Sequence, residues 1–176
     1  MLSRIINCSL YIYCGADFIY RITVFDKTDV ELNMNNNIII DGVELIAINT
    51  ISSEKNGQLS FFEANRDIPF NIKRIYYITN VDKGVSRGFH AHRELKQLIF
   101  CPYGKIQIEL DDGYNKHVVV LDEPDKGLLI TKPIWREMLW IKKDSTLVVA
   151  ASDYYDEKDY IRNYNEFLKF INESEE

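Results

Sequence analysis

Gly84-Val85-Ser86-Arg87-Gly88-Phe89-His90-Ala91-His92-Arg93-Glu94-Leu95-Lys96-Gln97, closed by Gly104, is the stretch from which the rest of the chain can be read. Five residues separate Gly84 from His90, four separate His92 from Gln97, and six separate Gln97 from Gly104. A second framed stretch opens at Gly127, with five residues before Pro133-Ile134-Trp135-Arg136-Glu137-Met138. Glycine and proline at such intervals mark turns between short elements. His90 and His92 lie two apart on an expected strand, so both side chains take one face. Two imidazoles side by side on an interior face are costly unless hydrogen bonds or a ligand satisfy them. A bare His-x-His is more often a surface pair. With Gly84, Gly104 and Pro133 all in frame, this one points to a functional pocket.

Working outward, short strands are expected at close spacing from about residue 43 onward. They are Leu59 to Glu63, Lys73 to Val81, Leu95 to Cys101, Lys105 to Leu110, His117 to Leu121, Leu128 to Thr131, Leu139 to Ile141 and Thr146 to Ala151. Pro102-Tyr103-Gly104 and Asp111-Asp112-Gly113 are turn signals between them. Lys105 to Leu110 alternates cleanly, as a half-buried strand does. Many short antiparallel strands imply an all-β jelly-roll barrel closed around a pocket. The tail breaks the pattern. Tyr160, Tyr164, Phe167, Leu168 and Ile171 fall at i, i+4, i+7, i+8 and i+11, the stripe of a C-terminal amphipathic α-helix, with Asp156, Glu157 and Asp159 at its start. Residues 1–40 form an N-terminal extension and residues 41–176 the barrel domain. The extension alternates loosely over Arg21 to Leu32, breaks at Asn33 to Asn37, and is open to three readings: extra strands, a dimerisation arm or a divergent leader.

Composition narrows the function classes. The 176 residues are 46% hydrophobic and 27% charged, with a net charge of -6 and no basic block. Broad nucleic-acid or anionic-membrane binding needs clustered Lys and Arg, so neither is expected. No run reaches the roughly 18 apolar residues of a membrane span. The segment Ile5 to Ala16 carries Asn7, Ser9 and large aromatics without a small-x-small cleavage site, so it is not read as a signal peptide. Cys8, Cys14 and Cys101 are odd in number and unpatterned, as reduced thiols in a cytoplasmic protein are.

The two framed stretches resemble the paired motifs of cupins, and the expected fold is a cupin-type double-stranded β-helix. The ligands of the usual cupin metal site are half replaced. Gln97 stands at the carboxylate position, Trp135 at a glycine and Met138 at the last histidine. An amide and a thioether are poor partners for a divalent ion, so no metal and no cofactor are expected. His90 and His92 are then free for proton transfer. Arg74, Tyr76 and Ile78 share one face of their strand, opposite Ile75 and Tyr77. An inward arginine offers phosphate oxygens a bidentate fork, or else forms a cross-strand ion pair. Arg87 serves a phosphate or holds its loop. Trp135 plugs the metal position or is ordinary core, and Arg136 and Glu137 can pair with each other. Tyr154, Tyr155 and Tyr160 line a base site or pack the tail helix. His117 reads as exposed.

Larger blocks then extend the resemblance. Phe61-Phe62-Glu63-Ala64-Asn65-Arg66-Asp67-Ile68-Pro69-Phe70, Ile72-Lys73-Arg74-Ile75-Tyr76-Tyr77-Ile78, the Arg87-Gly88-Phe89-His90-Ala91-His92 run, Trp135-Arg136-Glu137-Met138 and Ser152 to Arg162 together are similar to the dTDP-4-keto-6-deoxyglucose 3,4-ketoisomerases of bacterial deoxysugar biosynthesis. The likeness covers about residues 43–171. It implies a metal-free homodimer with an exchanged N-terminal strand, acting on a dTDP-linked 4-keto-6-deoxyhexose. The 3-keto product, galacto or gluco, would feed an aminotransferase making 3-amino-3,6-dideoxy sugars of surface glycans such as O-antigen lipopolysaccharide. His90, His92 and Tyr76 correspond to its proton-transfer residues. Arg74, Arg87, Gln97, Trp135 and Arg136 are the substrate-binding candidates.

The chemistry fits these residues independently. Shifting a carbonyl from carbon 4 to carbon 3 needs a base near neutral pKa, a donor to an oxyanion and a shaped pocket. A neutral histidine suits the base, and His90 is favoured with His92 as helper. The rival readings are a 3,5-epimerase on the same sugar nucleotide, a non-catalytic sugar-nucleotide-binding cupin and a metal-dependent cupin enzyme.

Overall fold

The computed structural model describes residues 9–13, 19–23 and 38–174. Strands β1 (Ser9–Tyr13) and β2 (Ile19–Thr23) pair as an antiparallel hairpin. The loose alternation read from Arg21 onward, the asparagine-rich break, and Cys8 and Cys14 fall largely or wholly outside the described residues.

Two antiparallel sheets make the barrel. One contains, in spatial order, β3 (Ile38–Ile40), β4 (Val43–Ala47), β12 (Lys126–Ile130), β9 (Gln97–Tyr103), β14 (Thr146–Ala151) and β7 (Arg74–Ile78). The other contains β11 (Lys116–Leu121), β10 (Ile106–Asp111), β13 (Trp135–Trp140), β8 (Ser86–His92) and β15 (Tyr160–Ile161). The hairpin β5 (Asn49–Ser53) with β6 (Gly57–Phe61) stands apart from both sheets. The fold is an all-β, cupin-like jelly roll with one C-terminal helix.

Period-2 alternation explains the core. Ile106, Ile108 and Leu110 point inward from β10 and meet Met138 and Trp140 from β13. Ile99, Leu128, Leu147 and Val149 answer from the facing sheet. Gly104 closes the turn after β9 with a φ of +112°, and a Cβ there would sit 2.4 Å from Ser145 Cα. The buried Ser145 hydroxyl accepts the Lys105 N–H at 2.9 Å, which locks that turn. Cys101 is a buried free thiol whose pKa burial pushes up to about 11.

Two expectations need correcting. The strand foreseen over Leu139 to Ile141 runs from Trp135 to Trp140, because Arg136, Met138 and Trp140 alternate inward even though Arg136 is charged. The tail helix, here α1, covers Tyr164–Glu173 and not Tyr160 onward. The Asn163 side chain accepts the Glu166 N–H at 3.1 Å and sets that start. The acidic run instead makes a single 3-10 turn at Glu157–Asp159, after which Tyr160 and Ile161 pair with His92 and Ala91 of β8. The helix then buries Phe167 against Ala91, Trp135 and Ile161 on the outside of the barrel.

Candidate active site

A cavity of about 250 Å³ opens between the two sheets. Tyr76 of β7, Gln97 of β9, Arg87 and His90 of β8, and Arg136 and Met138 of β13 line it, with Tyr160 and Arg162 from the tail. Ile78, Ile99, Leu147 and Val149 form an apolar floor that continues into the core. The pocket is therefore polar at one end only.

His90 is aimed by a local kink. Gly88 has a φ of +97° and Phe89, rare for a non-glycine, +53°. A register shift between Arg136 and Glu137 marks a β-bulge where β8 crosses β13. A Cβ on Gly88 would come within 2.7 Å of the Arg136 carbonyl oxygen, so only glycine fits. The Gly88 carbonyl lies 2.9 Å from His90 Nδ1. A carbonyl accepts only, so Nδ1 carries the hydrogen and Nε2 carries the lone pair. Burial first, then the Arg136 charge, lowers the His90 pKa to about 4. His90 is thus a neutral imidazole with a free ring nitrogen on the cavity wall.

His92 sits behind it. Its side chain is 1% exposed, and its ring centroid is 5.0 Å from that of His90 and 4.3 Å from that of Tyr160. Nδ1 donates to Asp159 Oδ2 at 2.6 Å, while Nε2 is buried without a partner. Burial and the cations Arg136, Arg74 and Arg162 hold this ring neutral, against the pull of the Asp159 carboxylate. The two histidines thus leave the same nitrogen without a hydrogen, one facing the cavity and one buried behind it.

A second chain of contacts fixes the opposite wall. Arg136 is 2% exposed and is not ion-paired to any described carboxylate. It donates to the Ile134 carbonyl at 3.0 Å and to Gln97 Oε1. Guanidinium has no acceptor, so it forces the Gln97 oxygen toward itself and the amide NH₂ toward Tyr76. Gln97 Nε2 accordingly donates to the Tyr76 hydroxyl oxygen at 2.9 Å. The Tyr76 hydrogen is left for another acceptor, and burial raises the Tyr76 pKa so that the hydrogen stays on. Burial lowers Arg136 only to about 10, so it is charged at neutral pH. The position where cupins place a carboxylate ligand here holds an amide that transmits orientation from a cation to a phenol.

The remaining expected residues divide. Arg87 lines the cavity at its exposed edge. Arg74 lies outside the lining, between the rings of Tyr76 and Tyr155 at 5.2 and 5.6 Å, with Nε buried and unpartnered. Trp135, expected at the substrate, takes the outer face of β13; it packs on Tyr164 and Phe167 with ring centroids 5.3 and 6.0 Å away. Strand alternation turns Arg136 in and Trp135 out. Arg136 does not pair with Glu137, which accepts the Trp135 indole N–H at 3.2 Å. His117 is exposed. Asp159 and Tyr160 were expected as the start of the tail helix, with Tyr160 also open to a base site, and Arg162 had no role of its own; the structure brings Tyr160 and Arg162 to the cavity and Asp159 to His92. Arg162 stacks over the Tyr160 ring at 4.4 Å and pairs with Glu157 at 2.8 Å. The signal that could have revealed them was Asn163, a better helix cap than the acidic run before it.

Among the described residues no group of three or more His, Cys, Asp or Glu side chains is gathered as a metal site, and no helix is long and apolar enough to cross a membrane. Residues 41–172 match the family described as FdtA: WxcM-like, C-terminal. A TDP-4-oxo-6-deoxy-alpha-D-glucose-3,4-oxoisomerase from Aneurinibacillus thermoaerophilus is 44% identical over 118 residues, spanning 67% of this chain and 85% of that protein. A variant of the 3,4-ketoisomerase QdtA from Thermoanaerobacterium thermosaccharolyticum, solved with TDP-4-keto-6-deoxyglucose, superposes with a TM-score of 0.73 at 40% identity, covering 77% of this chain and 97% of that one. ChmJ, a 3'-monoepimerase from Streptomyces bikiniensis, gives a TM-score of 0.62 at 17% identity over 70% of each chain, a likeness of fold alone.

Proposed function

The chain belongs to the FdtA, WxcM-like C-terminal family, and on that premise we propose that it is a 3,4-ketoisomerase of TDP-4-keto-6-deoxyglucose whose proton transfers run through residues 41–176. The observation that carries this reading is His90: a neutral imidazole with an unprotonated Nε2, on a cavity wall that also presents the Tyr76 hydroxyl and the buried Arg136 charge.

The balance of the reaction is simple. His90 takes the proton from carbon 3, and the C–H electrons form a carbon 3–carbon 4 double bond as the carbonyl electrons move onto oxygen 4. The enediolate so formed is negative, and a preorganised cation and phenol in a dry site stabilise it without reorganising. Arg136 supplies the charge and Tyr76 the hydrogen bond. Carbon 4 then takes up a proton in place of the one given to His90, the hydroxyl on carbon 3 passes its proton to oxygen 4, and the carbonyl stands at carbon 3 beside a carbon 4 hydroxyl. His92 and Tyr76 are the helpers in moving protons between the two oxygens. Arg87 at the cavity edge suits the pyrophosphate, with Arg74 behind Tyr76 adding positive potential.

The enzyme is further proposed to work in the cytoplasm as a homodimer that exchanges an N-terminal strand. Ile75 and Tyr77, 62% and 71% exposed on β7, an edge strand among the described residues, support a covered face, as do Leu59 and Phe61 on the β5–β6 hairpin. The decisive experiment incubates chelator-treated protein with TDP-4-keto-6-deoxyglucose in deuterated buffer and follows the sugar by NMR. A 3-keto product with deuterium at carbon 4 is expected, and its configuration there distinguishes galacto from gluco. Exchange at carbons 3 and 5 with a rhamno-type product would mean an epimerase. A folded, TDP-binding protein that exchanges nothing would sink catalysis on this sugar.

A further inference from the structure

We infer that Asp159 is the positioning residue of the site, holding His92 in the one tautomer that leaves its Nε2 able to accept a proton. The inference rests on the ketoisomerase reading above for its catalytic consequence, and on geometry alone for the tautomer.

Both oxygens of the Asp159 carboxylate are spoken for. Oδ2 accepts His92 Nδ1–H at 2.6 Å and Oδ1 accepts the Glu94 backbone N–H at 2.9 Å. The Asp159 backbone is tied down as well, since its carbonyl accepts the Arg93 N–H at 2.9 Å. Asp159 thus staples the tail to the end of β8 beside Tyr160, which pairs with His92 in strand register. A neutral imidazole has one hydrogen, so fixing it on Nδ1 strips Nε2. That nitrogen has no partner within the chain although it is buried. A buried lone pair without a donor is costly and is rarely kept unless something outside the chain supplies the hydrogen. Its neighbours His90 and Tyr160 both line the cavity, so a substrate hydroxyl there is the nearest source. Asp159 orients and does not itself touch the reacting atoms.

The two accepted hydrogen bonds make Asp159→Asn a sharp test. Only one oxygen remains in the amide. If it keeps the Glu94 N–H, the NH₂ group faces His92 Nδ1 and drives the imidazole hydrogen to Nε2. If it turns toward His92, the Glu94 N–H loses its acceptor. Nitrogen-15 NMR of histidine-labelled protein should show His92 protonated at Nδ1 in the wild type and at Nε2 in Asp159→Asn. With that switch, kcat should fall about 100-fold or more, as wrong-tautomer substitutions do. The Kd for TDP should stay within about threefold, because the pocket is unchanged. A wild-type His92 protonated at Nε2 overturns the inference, and this is read without any variant, so misfolding of Asp159→Asn does not shield it. A folded Asp159→Asn protein whose His92 has moved its hydrogen to Nε2 yet keeps kcat within about threefold of wild type also overturns it, since the tautomer would then be without catalytic consequence. A wild type that leaves the sugar unchanged while showing the Nδ1 tautomer removes the ketoisomerase reading and upholds the positioning.

Discussion

The barrel and the tail build the same pocket by different physics. On the barrel side, Tyr76, Gln97, Arg136 and His90 sit on four different strands, and their directions follow from ladder register and from one glycine kink. On the tail side, Tyr160 and Arg162 reach the pocket, and Asp159 reaches His92 behind it, because β15 pairs with β8 and Phe167 anchors α1 outside. Rigid pairing within the barrel can place a base to a fraction of an ångström. The tail is held by a two-residue strand, the Asp159 carboxylate, a satellite apolar cluster and side-chain ties such as Arg93–Glu166 and Tyr164–Asp111, fewer bonds than a barrel ladder, so it is expected to open before the rest unfolds. The pocket therefore depends on a weakly built clasp for the orientation of its second histidine.

Removing the barrel's base separates the halves most sharply. His90→Asn should lower kcat by about 1,000-fold, within the range for loss of a general base, while TDP still binds and melting is unchanged. A kcat drop under about tenfold would shift the base to the tail-held His92. Breaking the clasp comes next. Phe167 is fully buried against Ala91, Trp135 and Ile161, and Phe167→Ala should cost about 3–5 kcal/mol locally. Hydrogen exchange should then rise first in β15 and α1, and kcat should fall although no cavity residue has changed. Uniform exchange across both sheets would show that the tail is not a separate unit.

Gly88→Ala tests the kink. The added Cβ meets the Arg136 carbonyl at 2.7 Å, at a φ that L residues rarely adopt. A loss of about 2 kcal/mol in stability and of about tenfold in kcat is expected, from a displaced His90. Retained activity in a crystal structure with an unmoved ring would refute the role of the kink. The smallest effect is with pH. His90 has a folded pKa of about 4 against an ordinary 6.5. Between those values the unfolded chain binds more protons, so stability falls as pH drops through 6.5 and the loss is complete below 4. Allowing for the partial exposure of His90, that loss is on the order of 2 kcal/mol. The acid limb of kcat/KM should correspondingly lie near pH 4, and a limb at 6 to 7 would mean a solvated base.

Particular residues show why the barrel half was readable and the tail half was not. The His90–His92 pair and the Arg74–Tyr76 pair each share a face because a strand repeats every two residues, which needs no knowledge of neighbours. Which face of β13 looks inward depends on its register against β10 and β8, so Arg136 and Trp135 could not be told apart before the pairing was known. Tyr160 fell on the helical stripe by spacing alone, and only its pairing with His92 reveals a strand.

Taken by itself, the sequence determined the jelly roll, the histidine pair and the loss of the usual cupin ligands. The first two rest on local spacing, that is turn residues at set intervals and alternation along single strands, and the third on the resemblance of the framed stretches to the cupin motifs. The Asp159–His92 contact spans 67 residues, and the Arg136–Gln97–Tyr76 chain joins three strands. Hydrogen bonds over such separations exist only once the sheets have closed, because backbone pairing and not sequence proximity sets which side chains meet. Tautomer, amide direction and the free phenol hydrogen were therefore decided by the tertiary structure.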